Sequence, residues 1–156
     1  IQEREMDLLA GTYGRGIYKM NLRPVQAAFK SGPPQGDRLF DPPAARLPWI
    51  NDTHRDPRLS TLEKVPLTFY LRRDAAVTLA VQDKTGKVLW SMPVAGRAGF
   101  NQVLWDLVTA RADSPQPYFT AYLTFAPAGP YEVSLRGEGI DLKAPLTIVP
   151  RASPDR

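Results

Sequence analysis

The stretch Leu67-Thr68-Phe69-Tyr70-Leu71-Arg72-Arg73-Asp74-Ala75-Ala76-Val77-Thr78-Leu79-Ala80-Val81-Gln82-Asp83-Lys84-Thr85-Gly86-Lys87-Val88-Leu89-Trp90-Ser91-Met92 decides the fold class. Leu67, Phe69 and Leu71 recur at every second position, as do Val77, Leu79 and Val81, while Thr68, Thr78 and Gln82 take the opposite parity. Successive side chains of a strand point to opposite faces, so this period of two predicts half-buried strands. Asp83 to Lys87 is then a hairpin connection in which Gly86 takes the positive φ that such loops usually need. Val88 to Met92 is the return strand.

The pattern continues toward the C-terminus. Gly96 and Gly99 bracket a turn, after which Val103, Trp105 and Leu107 alternate with Gln102, Leu104 and Asp106. Tyr118 to Phe125 is β-rich on both faces, so parity leaves open a central strand or a covered ribbon. Gly129-Pro130 opens a strand at Tyr131-Glu132-Val133-Ser134-Leu135, Gly137 and Gly139 turn it into Ile140-Asp141-Leu142, and Leu146 and Ile148 close the series before a polar tail from Pro150. Short strands with turn signals every roughly eight to twelve residues predict an all-β sandwich.

Composition agrees. Sixteen prolines and eleven glycines in 156 residues exceed ordinary usage without reaching that of disordered chains, so many turns are implied. The absence of cysteine excludes disulfides, thiolate zinc sites and cysteine nucleophiles. No apolar run approaches the roughly 18 residues of a membrane-spanning helix, and no stretch reads as a secretory leader. Twenty basic residues stand against sixteen acidic ones, for a net charge of +4. The arginines are spread from Arg4 to Arg156, the densest group being Arg72-Arg73, so a nucleic-acid partner is not expected.

Asp7-Leu8-Leu9-Ala10-Gly11-Thr12-Tyr13-Gly14-Arg15-Gly16-Ile17-Tyr18-Lys19-Met20 reads as two short strands joined by a glycine-rich turn, too small to fold alone. Pro24 to Lys30 offers a turn or two of helix, with proline at its first position. From Gly32 to Lys64, Pro33-Pro34, Pro42-Pro43, Pro48 and Pro57 break every periodic stretch, and only Leu39-Phe40, Leu47 and Trp49 are apolar anchors. The expected organisation is a pair of strands over 1–22, a proline-rich connector over 23–61 packing on a sandwich over 62–150, and a tail over 151–156. The start at Ile1, without an initiator methionine, is expected of a fragment.

Asp7 to Tyr18 resembles the closing blade of sortilin-like, BNR-repeat β-propellers of bacterial proteins of the putative glycosyl hydrolase type. Leu39-Phe40-Asp41-Pro42-Pro43 is similar to the connector element that follows in those proteins. Asp83-Lys84-Thr85-Gly86-Lys87-Val88, Gly99-Phe100-Asn101-Gln102-Val103-Leu104-Trp105-Asp106 and Pro127-Ala128-Gly129-Pro130-Tyr131-Glu132-Val133 resemble marks of the immunoglobulin-like domain at their C-terminus, itself like a flagellar hook-capping module. The chain departs from that pattern at Pro130, which alters the local turn and leaves the strand. The resemblance implies an immunoglobulin-like β-sandwich preceded by remnant propeller strands, and a non-catalytic structural or interaction module of a secreted or periplasmic protein. Its first partner would be the propeller of the same parent chain, and the blades that would carry a sialidase-type site are absent from these residues. Unsatisfied N-terminal strands also allow self-association.

Candidate chemistry is sparse. His54, the single histidine, lies in Asn51-Asp52-Thr53-His54-Arg55-Asp56, a polar cluster better read as turn-capping than as a metal site. No Gly-x-Ser-x-Gly elbow is present. Asp106 and Glu132 are the best-placed acids for a glycosidase pair, yet Asp106 is expected to accept backbone hydrogen bonds where its strand ends. Gly11, Gly14 and Gly16 do not follow the dinucleotide spacing. No catalytic residue, cofactor or metal is therefore expected. The alternative to a structural module is a carbohydrate-binding one, with Trp49, Trp90, Tyr118 and Tyr122 as a sugar-stacking platform, although Trp90 and Trp105 also suit the core.

Overall fold

The computed structural model describes residues 7–12, 16–22, 26, 34–47, 64–112 and 122–150. Two compact units divide the chain, Ile1–Gly36 and Asp37–Arg156. In the first, β1 (Asp7–Thr12) and β2 (Gly16–Asn21) form an antiparallel pair with Leu8 opposite Met20 and Ala10 opposite Tyr18. The Gln26 amide donates to the Leu22 carbonyl at 2.8 Å, one helical hydrogen bond. The rest of the expected helical turn lies outside the described residues.

The second unit is all-β. Its strands are β3 (Arg38–Leu39), β4 (Ala45–Arg46), β5 (Val65–Leu71), β6 (Ala75–Asp83), β7 (Val88–Gly96), β8 (Gly99–Trp105), β9 (Val108–Ala112), β10 (Tyr122–Phe125), β11 (Gly129–Gly137) and β12 (Ile140–Val149). One sheet runs β3-β5-β8, a second β4-β12-β11-β6-β7, and β9 pairs with β10. Every pairing is antiparallel except β4 with β12. β3 joins one sheet and β4 the other, so residues 38–46, inside the segment read from sequence as connector, are shared between the two sheets. Two-residue strands carry no periodicity of their own; their partners define them.

The alternating residues form the core. Leu67, Phe69 and Leu71 of β5, Val77, Leu79 and Val81 of β6, Val133 and Leu135 of β11, and Leu146 and Ile148 of β12 are all buried in one cluster with Trp105. Each such side chain contributes about 1.5–3 kcal/mol by leaving water. Gly137, at φ 145, lets β11 approach β6 closely, since a Cβ there would stand 2.3 Å from the Ala76 carbonyl oxygen. Gly86, at φ 84, closes the β6–β7 connection with its amide 2.9 Å from the Asp83 carbonyl.

Leu107 does not extend the alternation of β8. The strand ends at Trp105, and Leu107 adopts φ 63, a left-handed conformation that disfavours a side chain, while remaining fully buried. Three hydrogen bonds, two local and one tertiary, hold the corner. Asp106 Oδ1 accepts the Val108 amide at 3.2 Å, the Trp105 indole N–H donates to the Val108 carbonyl at 3.2 Å, and the Leu107 carbonyl accepts the Ala126 amide at 2.9 Å. These bonds and the burial of leucine offset a backbone cost of about 1–3 kcal/mol.

Candidate functional site

An open groove of about 370 Å³ lies where the β6–β7 hairpin meets the start of β11, lined by Gln82, Asp83, Lys84, Thr85, Pro130, Tyr131 and Glu132 among others. Its carboxylates come from the strands that build it, because Glu132 faces Gln82, and Tyr131 faces Asp83, across the β11–β6 ladder. Asp83 Oδ1 accepts the Thr85 hydroxyl at 2.6 Å, the Thr85 amide at 2.8 Å and the Lys87 amide at 3.1 Å. The hydroxyl of Thr85 above all, with these amides, holds the Asp83 carboxyl below its ordinary value. Glu132 Oε1 accepts from Lys143 Nζ at 2.7 Å and from the Gln82 amide; the hydrogen bond from Lys143 is the main reason its carboxyl is lowered too. Burial, and then the charge of Asp83, raises the Tyr131 phenol.

Both groove carboxylates are thus held as anions at neutral pH. Chemically they are turn and ladder acceptors, and neither is poised as a proton donor. Asp106, the other acid singled out in the sequence, stands at the end of β8 in the three-stranded sheet, whereas Glu132 belongs to the five-stranded one. Their hydrogen bonds run to different parts of the backbone and side-chain framework.

The aromatic candidates divide. Trp90 on β7 is half-buried and packs on Trp105 with ring centres 5.7 Å apart and planes tilted by 32°. Trp105 is 1% exposed. Tyr122 opens β10, opposite Ala112. Trp49, Tyr118 and His54 lie outside the described residues. The sequence reading missed a different group: Phe40, Tyr70 and Phe100 meet on the outer face of the three-stranded sheet. Phe40 stacks on Phe100 at 5.8 Å, Tyr70 meets Phe100 edge-on at 5.3 Å, and the Arg38 guanidinium lies 5.1 Å over Phe40. The signal was present in the parity of Thr68 and Tyr70 opposite Leu67 and Phe69, but the pairing of Tyr70 with Phe100 and Arg38 is long-range.

Tyr131 has a second role. Its hydroxyl donates to the Pro127 carbonyl four residues upstream at 2.8 Å, tying the entry of β11 to the loop before it. No protein-family model matches the chain, and no curated protein matches it. Among the described residues no helix is long and apolar enough to cross a membrane.

Proposed function

We propose that residues 37–150 are an immunoglobulin-like accessory module with a structural or interaction role, carried by a larger secreted or periplasmic β-propeller protein that resembles BNR-repeat glycosyl hydrolases. The observation that carries the immunoglobulin-like reading is the Tyr131–Pro127 bond. A tyrosine at the start of a late strand, returning its hydroxyl to the backbone a few residues upstream, is a corner device of that sandwich class. The division of residues 38–46 between two sheets, as β3 and β4, and the separation of β5 and β8 from β6, β11 and β12 support it.

A non-catalytic role is supported by the use the chain makes of its acids. Asp83, Asp106 and Glu132 all spend oxygens on turns and ladders. The half-burial of Trp90 against Trp105 and the mutual stacking of Phe40 and Phe100 weigh against a sugar platform, which needs ring faces left open. Hydrolysis of aryl glycosides by the full chain should stay at background, and titration with soluble polysaccharides should leave tryptophan fluorescence unchanged. A turnover abolished by Glu132→Gln, or saturable quenching by a polysaccharide, would refute this reading.

A further inference from the structure

Residues 37–47 run lengthwise along the second unit and are anchored at both of its ends. At one end Asp37 Oδ1 accepts the Arg72 amide at 2.8 Å, Arg38 and Leu39 pair with Tyr70 and Phe69, and the Phe40 amide donates to the Thr68 carbonyl at 3.0 Å. At the other, Ala45 and Arg46 pair with Ile148 and Val149, and the Leu47 amide donates to the Val149 carbonyl at 3.1 Å. The anchors are at opposite ends because Arg72–Asp74 leads into Ala75 and Ala76, beside the turn that joins β11 to β12 at Gly137 and Ile140, whereas Ile148 and Val149 finish β12.

The parallel pairing of β4 with β12 fixes how this segment meets a pull. The chain enters it at one end of the sheets and leaves β12 at the other, so tension between Asp37 and Pro150 draws β4 and β12 along their lengths in opposite directions. Ladder hydrogen bonds run across the strands. A load along the strands strains them together, while a load applied at one end of a strand pair opens them one after another.

We propose that residues 37–47 are a mechanical strap that carries tension entering at Asp37 and leaving at Pro150, and that their release sets the resistance of this unit to being pulled apart. The strap yields before β12 leaves its sheet, because β4 shares two residue pairs with β12 whereas β11 shares nine. It is still a built element: Leu39, Phe40 and Ala45 are buried, and the Arg38 guanidinium lies 5.1 Å over the Phe40 ring. Once it is released, tension reaches β5 at Val65, which lies beside Ala45 and Arg46 at the same end as Val149. The sheets are then loaded from one end only.

Force spectroscopy on the full chain tests this, since forced rupture reads the barrier to release rather than the equilibrium stability. The chain has no cysteine, so introduced ones take the handles at defined places. Gln35→Cys with Pro150→Cys loads the strap lengthwise; Lys84→Cys with Pro150→Cys loads the five-stranded sheet from one end, where Asp83, Tyr131 and Leu146 lie side by side, and all three positions are exposed. The lengthwise rupture force should be the higher. Asp37→Ala, which removes the acceptor for the Arg72 amide, and Leu47→Pro, which removes the donor to Val149, should each lower the lengthwise force and leave the one-ended force, which reports intact sheets, unchanged. Leu47→Ala keeps that donor and should lower the lengthwise force less than Leu47→Pro. A lengthwise force no higher than the one-ended force overturns the proposal, as does one that Asp37→Ala and Leu47→Pro leave unchanged or that falls equally in both geometries.

Discussion

The two larger sheets share one core and present opposite kinds of outer face. The five-stranded sheet turns outward a polar ladder: Glu132 and Arg136 on β11, Asp141 and Lys143 on β12, with Lys143 2.7 Å from Glu132 and Arg136 3.1 Å from Asp141. The three-stranded sheet carries on that side a ring cluster of buried Phe40 with half-buried Tyr70 and Phe100, Arg38 laid over one ring and Leu104 exposed beside it. One face follows the rule of apolar in and polar out for an antiparallel sheet against water. The other breaks it with stacked rings and an exposed leucine. The larger sheet keeps its exposed apolar side chains, Val88 and Met92, on its outermost strand β7.

The largest effect belongs to the residue that joins them. Trp105, at the end of β8, is fully buried in the common cluster with Leu79, Val133 and Leu146 from the other sheet. Trp105→Ala should cost about 3–5 kcal/mol, a large share of the stability of a domain this size. Urea denaturation of the variant measures it. A midpoint close to that of the parent would mean that the two sheets do not depend on this ring and that the shared core is the wrong frame.

A close approach within the five-stranded sheet comes next. Gly137→Ala places a Cβ 2.3 Å from the Ala76 carbonyl oxygen, with backbone rather than a flexible side chain in the way, at a positive φ that alanine resists. The expected loss is about 2–3 kcal/mol. An equal or higher melting temperature would show that β6 and β11 can separate without cost.

Much of this architecture was legible in the residues, and the exceptions are instructive. The parity of Leu67, Phe69 and Leu71, and of Val77, Leu79 and Val81, marks strand and buried face together because one physical constraint sets both. β3 and β4 were not legible in the proline-rich segment: a two-residue strand is defined by its neighbours, here β5 and β12. Val88 to Met92 was read as a strand but runs on to Gly96 through Pro93, which an edge strand tolerates. Leu107 fits the alternation and lies off the strand, since its left-handed turn is held by tertiary bonds. Of the groove, the hairpin was legible, whereas the pairing of Glu132 with Lys143 and Gln82 depends on the register of three strands.

A smaller effect sharpens the contrast at the loop entering β11. Tyr131→Phe removes only the hydroxyl that donates to Pro127 and should cost about 0.5–1.5 kcal/mol. Thermal unfolding of the variant provides the measurement, and a change within error would demote this corner from an anchor to an incidental contact.

The smallest effect tests whether the larger sheet alone carries charge-dependent stability. The Glu132 carboxyl is lowered in the folded state, first by the hydrogen bond from Lys143 and then by that from Gln82. A carboxyl whose folded value lies below its unfolded one stabilises the fold above the unfolded value, and that contribution is lost as pH falls through the folded one. Glu132→Gln should therefore be less stable than the parent at neutral pH, with the gap closing as the solution is acidified past the ordinary carboxylate range. The group is exposed, so the gap is small and shrinks with added salt. Urea midpoints taken across the acid range, at low and high salt, read it directly. Parallel curves for the parent and the variant would place the acid sensitivity elsewhere, with Asp83, lowered chiefly by the Thr85 hydroxyl, as the next carboxylate to remove.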